Sequence, residues 1–153
     1  VGDSGFDNVV DVVESLEKTG VRVFITAEGD FPEAVERCQL TVEPHRIHHL
    51  MYYADLFIGE SPTMATESAV LGTPGIYVSS ISLGYTDELE ERYGLVHTFS
   101  GDERQSKGIR KAISILNDYD QELWDQRREQ LLEDKIDTTQ FIIEQMTTNG
   151  ISE

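Results

Sequence analysis

Cysteine is nearly missing from this sequence. Cys38 is the only one in 153 residues, which excludes an intrachain disulfide and any zinc cage built from cysteines. No apolar run approaches the roughly 20 residues a spanning helix requires, so no membrane span is expected. Basic residues are scarce as well. Lys and Arg together number 12 against 29 Asp and Glu, a formal net charge of -17, and only 4 of the 12 are lysine. Such a surface repels nucleic acid phosphates and anionic lipid, so neither is an expected partner. The acids are spread along the chain and form no tail. A dispersed acidic surface poor in lysine suits a cytosol of very high salt, where self-repulsion is screened. A halophilic, archaeal-type source and a cytoplasmic location are the expectation; an ordinary acidic fragment is the alternative. The chain opens at Val1 with no basic or apolar leader and no initiator methionine, and is read as a piece of a longer protein or a processed chain.

What is present is enough for one core. The 39% hydrophobic and 8% aromatic content is that of a globular chain. The length predicts a single domain over 1–153. Apolar spacing predicts helices over 7–19, 31–38, 46–54, 62–71, 87–93, 103–117 and 121–147. Between them lie short β-branched or apolar runs at 21–26, 40–42, 55–59, 75–79 and 95–99, read as strands. Strands alternating with helices at this pitch indicate crossover units on a parallel sheet. The fold class expected is therefore α/β: a Rossmann-like parallel sheet of about five strands, flanked by helices and closed by C-terminal helices. Strands 55–59 and 75–79 read as continuous apolar runs, as expected for burial on both faces.

One segment carries most of the chemical signal, Tyr53 to Ser80 (YADLFIGESPTMATESAVLGTPGIYVSS). It reads as strand, tight turn, helix, turn, strand. Ser61 is placed to cap the helix and Pro62 to open it. The helix N-terminus then sits at the carboxyl end of a parallel strand. Its dipole and free N–H groups favour an anion such as phosphate there. Ser61 and Thr63 add hydroxyls. Glu67, one turn further, has a carboxylate able to accept two hydrogen bonds from a ribose diol. The competing reading is a capped crossover helix that packs Met64, Ala65, Ala69 and Leu71 on the sheet and binds nothing.

The same segment resembles the nucleotide-binding motif in the C-terminal domain of GT-B fold proteins. It is similar to that of the non-hydrolysing UDP-N-acetylglucosamine 2-epimerases and of the peptidoglycan N-acetylglucosaminyltransferase. Glu60-Ser61-Pro62-Thr63 falls on the family's turn, Thr66-Glu67 on its glutamate pair, and Leu71-Gly72-Thr73-Pro74 on the turn before the next strand. Pro62 and Thr63 stand where the epimerases have two glycines, and Thr66 replaces the first glutamate. Over roughly residues 2–100 the chain also resembles a largely archaeal GT-B-like family of unknown function, through VFITAEGDFP, PHRIHHLMYYADLFIGESPTMATESAVLGTP and LEERYGL.

The resemblance implies the C-terminal half of a GT-B-type protein that binds a nucleoside-diphosphate sugar, UDP-linked, for glycosyl transfer or 2-epimerisation. Glu67 would hold the ribose and Ser61 and Thr63 the diphosphate. Catalytic residues would lie in an N-terminal half outside this chain, so the chain alone would be inactive. His45, in the cluster His45, His48, His49, falls on the loop beside the uracil; surface or packing histidines and metal binding are the other readings of that cluster. Gly2, Ser4 and Gly5 fall on a glycine-containing phosphate loop, the alternative being a frayed terminus. The family's central first strand would precede that loop, so its place in the sheet is expected to be empty or filled by another segment. No cofactor is implied and no metal ligand set is visible. From another class, the rival function is a non-enzymatic α/β module for homo-oligomerisation or partner docking.

Overall fold

The computed structural model describes residues 6–26, 31–81 and 83–149. Its centre is a three-stranded parallel sheet in the order β1-β2-β3, with β1 at Phe57–Gly59, β2 at Gly75–Val78 and β3 at Val96–Phe99. Phe57 stands opposite Gly75, and Gly75 opposite Val96. Helix α4 (Pro62–Leu71) covers one face and α6 (Arg104–Asn117) the other. Each approach needs a residue without a side chain. A Cβ on Gly75 would lie 2.8 Å from Ser68 Oγ and 3.2 Å from the Ala65 carbonyl of α4; one on Gly108 would lie 2.9 Å from Val78 Cγ2. Between these helices Ile76, Tyr77, Val78, Leu95 and Val96 are buried.

The sheet is smaller than expected, with three strands in place of about five. Val21–Thr26 and Leu40–Val42 form no ladder. They meet at a single parallel bridge, Ile25 to Gln39, made by Ile25 N–H to the Cys38 carbonyl (2.8 Å) and Leu40 N–H to the Ile25 carbonyl (2.9 Å). A ladder requires successive pairs, and the turn after α2 (Glu33–Glu36) reaches this register only at Gln39. Among the described residues no backbone hydrogen bond joins Val21–Thr26 to β1. The parallel pairing thus falls into two pieces. β1 is also only half-buried, because it is an edge, whereas β2 is buried throughout.

The other edge is closed by a side chain. Glu90 lies in the π-helical turn Leu89–Tyr93 that continues α5 (Gly84–Glu88). One carboxylate oxygen accepts the outward Thr98 N–H of β3 (2.9 Å); the other lies 3.3 Å from His97 Nδ1. A partly exposed carboxylate that occupies the free N–H blocks strand addition there. An ionised carboxylate only accepts, so Nδ1 carries the proton. Burial, then the Lys111 cation, holds the His97 pKa below its usual value against the pull of Glu90. The unfolded imidazole takes its proton near the ordinary pKa of about 6.5, before the folded one does. The contribution of His97 is therefore full above about pH 6.5 and lost as pH falls from there towards the lower folded pKa. Melting curves between about pH 5 and 8 should show a smaller acid loss in His97→Gln than in the wild type. Parallel profiles for the two proteins would contradict this.

Helix α1 (Val9–Glu17) is capped by Asn8 and packs Val12, Val13 and Leu16 inward, beside α6. The sequence predicts one closing helix over 121–147; the structure has two, α7 (Gln121–Asp134) and α8 (Thr138–Asn149). The break follows from local bonds. Asp134 accepts from Arg92 (2.9 Å) and from the Tyr93 hydroxyl (3.1 Å), Lys135 reaches Glu88 (2.8 Å), and Asp137 Oδ1 caps α8 through Gln140 N–H (2.9 Å). Trp124 and Leu131 of α7 are buried, while Leu132 is exposed. No described helix is long and apolar enough to cross a membrane.

Candidate functional site at the carboxyl end of the sheet

In a right-handed parallel α/β arrangement every crossover helix starts at the carboxyl end of a strand. That edge here gathers the starts of α1, α4 and α6. The Phe6 N–H donates to Glu60 Oε1 (2.6 Å), across 54 residues of chain. Gln105 Oε1 accepts the Asp7 and Asn8 N–H groups (2.7 and 2.8 Å), and Arg104 reaches Asp7 Oδ1 (2.9 Å). Gln105 is buried and the Arg104 side chain only 12% exposed. These two residues carry no sequence motif. Their i, i+1 placement at a helix start gains meaning only once folding brings residue 7 to residue 105.

Ser61 caps α4 as the sequence predicts. Its Oγ accepts the Met64 N–H (3.3 Å) and its carbonyl the Ala65 N–H (3.0 Å). Pro62 has no N–H, so the first free backbone donor of the helix is that of Thr63, whose side chain is exposed. The Ser61 hydroxyl proton, the Thr63 N–H and the Thr63 hydroxyl make a small donor set at the positive end of the helix. The Glu60 carboxylate beside it opposes an anion, although its Oε1 is engaged by Phe6.

Glu67 lies on the side of α4 that faces α3 (Ile47–Tyr52). Its Oε2 is 3.3 Å from His48 Nε2, with side chains 39% and 51% exposed. At that exposure the pair contributes about 0–1 kcal/mol at most. Its Oε1 has no hydrogen-bond partner among the described residues. The structure therefore joins Glu67 to His48, not to His45. His45 sits in the 3-10 turn Pro44–Arg46, exposed, 3.6 Å from Glu43. The helical register of α3 holds the missed signal: Met51 is its buried residue, and His48, three positions earlier, lies on the same side of the helix. Gly2, Ser4 and Gly5 lie outside the described residues, though Phe6, which follows them, is fastened beside Ser61. Among the described residues no group of three or more His, Cys, Asp or Glu is placed to hold a metal ion.

Comparison with protein-family models, with curated proteins and with solved structures gave no match.

Proposed function

We propose that this chain is the nucleotide-binding half of a GT-B-type protein that recognises a nucleoside-diphosphate sugar, UDP-linked, for glycosyl transfer or 2-epimerisation. The observation that carries the reading is the strand–capped helix turn at Gly59–Thr63, with Glu67 one turn along the helix and one carboxylate oxygen free. In this reading the diphosphate lies at the start of α4, held by the Thr63 N–H and the Ser61 and Thr63 hydroxyls. Glu67 Oε1 accepts from the ribose diol, and His48 steadies the carboxylate through Oε2. Fixed donors at the helix start stabilise the charge that grows on the departing diphosphate, without reorganisation. The reacting groups come from a separate N-terminal half.

A rival reading as a docking or oligomerisation module has one observation in its favour: Ile142, Ile143 and Met146 of α8 are half-exposed or more. UDP separates the two. At an affinity of about 10 μM, 1 mM UDP stabilises the fold by about 2.7 kcal/mol, roughly 5–10 °C in Tm. A Tm unmoved by UDP would favour the docking module.

A further inference from the structure

The amino ends of the strands carry a second cleft, of about 380 Å³. Topology assembles it. Helix α3 ends at Tyr52, so Tyr53 and Asp55 stand just before β1. Helix α4 ends at the same pole on Gly72, at φ +91°. The turn between α6 and α7 brings Tyr119 there, and α7 adds Gln121, Asp125 and Arg128.

The lining is unusual in three respects. Tyr52 and Tyr53 pack edge to face with ring centroids 5.0 Å apart, yet Tyr53 remains 82% exposed. An aromatic pair left in water on so acidic a chain costs solvation that an occupant would recover. The planar polar groups are ordered but incompletely used. Gln121 accepts from the Tyr119 hydroxyl (2.9 Å) and donates to Asp125 Oδ1 (2.9 Å), while Arg128 is anchored by Nε to the Val70 carbonyl (2.7 Å), its chain laid over Gly72. The Asp55 carboxylate and the terminal nitrogens of Arg128 have no hydrogen-bond partner among the described residues. Acceptors and donors thus face one cleft together. Asp55 and Asp125 both act on the Tyr119 phenol, which burial, then these two charges, pushes above its usual pKa.

We infer that this cleft is a carbohydrate subsite, taking a neutral pyranose with its apolar face on Tyr53 and vicinal hydroxyls between Asp55 and Arg128. A neutral polyol is the ligand class that uses both halves of the lining. An anion meets two carboxylates and the field of the -17 chain. An organic cation finds the carboxylates and the rings but confronts the fixed Arg128 guanidinium. Planar carboxylate and guanidinium groups offer paired acceptors and donors that match a vicinal diol. The cleft lies at the opposite end of the strands from Ser61, so this assignment does not rest on the nucleotide reading.

Saturation-transfer NMR on the whole chain with glucose, N-acetylglucosamine and maltose tests it, with tetramethylammonium as the competing probe. Transfer to the ring C–H protons of at least one sugar is expected, with affinity in the ~1 mM range. Tyr53→Ala, at an exposed position, should weaken it at least about tenfold, and Asp55→Asn comparably. Tetramethylammonium should not displace the sugar. No transfer from any of the three sugars would overturn the assignment. So would displacement by tetramethylammonium, or unchanged affinity in both variants.

Discussion

Ile76→Ala should cost about 2–5 kcal/mol of stability, the range for removing a large side chain from a closed core. Ile76 is fully buried in the centre strand, in register with Ile58 on one side and His97 on the other. The site has little room to collapse. Its Cγ2 lies 3.5 Å from where a Cβ of Gly108 would stand, so the α6 backbone already rests against the strand. A loss of about 3 kcal/mol lowers the Tm of a domain this size by roughly 6–12 °C. Val70→Ala is the control, because Val70 is 43% exposed, and it should stay within about 0.5 kcal/mol of wild type. Equal denaturation midpoints for the two variants would show that β2 is not the centre of the core.

Salt should act with comparable strength and in the stabilising direction. The chain carries a net charge of -17. Some of its surface cations are already committed: Arg92 and Lys135 share Glu88, Lys107 pairs with Glu103 and Arg37 with Glu17. Most of the 29 acids have no cation to meet and repel one another. Raising KCl from about 0.1 M to above 1 M shortens the Debye length from about 10 Å to about 3 Å, below the spacing of most surface charges. Relief of repulsion worth ~3–5 kcal/mol would raise Tm by on the order of 10 °C. The exposed ion pairs weaken over the same range, but each contributes under about 1 kcal/mol. A Tm that is flat or falls with KCl would contradict the expectation of a high-salt cytosol.

Punctuation made the middle of the chain legible. Ser61-Pro62 opens α4 and Gly72-Thr73-Pro74 closes it, and the helix runs from Pro62 to Leu71 as the sequence predicts. The apolar run after Pro74 is the buried β2. Where such markers are missing, boundaries moved. No Gly or Pro separates α7 from α8. The break is made by Arg92, Tyr93 and Glu88, more than forty residues away, through Asp134 and Lys135. Val21–Thr26 has the composition of a strand, but composition does not supply a neighbour, and one bridge is all it makes. Glu90 stands in the acidic run Asp87–Glu91, where composition alone gives no sign that it holds the β3 edge.

The candidate site divides in the same way. Ser61, Thr63 and Glu67 follow from local spacing on one helix, and the structure puts Ser61 at its cap and Glu67 beside α3. His48, Arg104 and Gln105 depend on packing between elements far apart in sequence. His45, which falls on the uracil loop by resemblance, sits in the 3-10 turn Pro44–Arg46 directly before α3, whereas His48 lies on α3 itself and meets Glu67 of α4.

Calorimetric titration of UDP into wild type and Glu67→Ala tests the central claim most directly. The Glu67 pairing with His48 is exposed and weak, so the unliganded variant should melt within about 1 kcal/mol of wild type. Loss of a charge-assisted pair of hydrogen bonds to the ribose should cost about 1.5–3 kcal/mol, a roughly ten- to hundredfold weaker affinity for UDP. Equal affinities in two folded proteins, or no heat of UDP binding to the wild type, would contradict the nucleotide site.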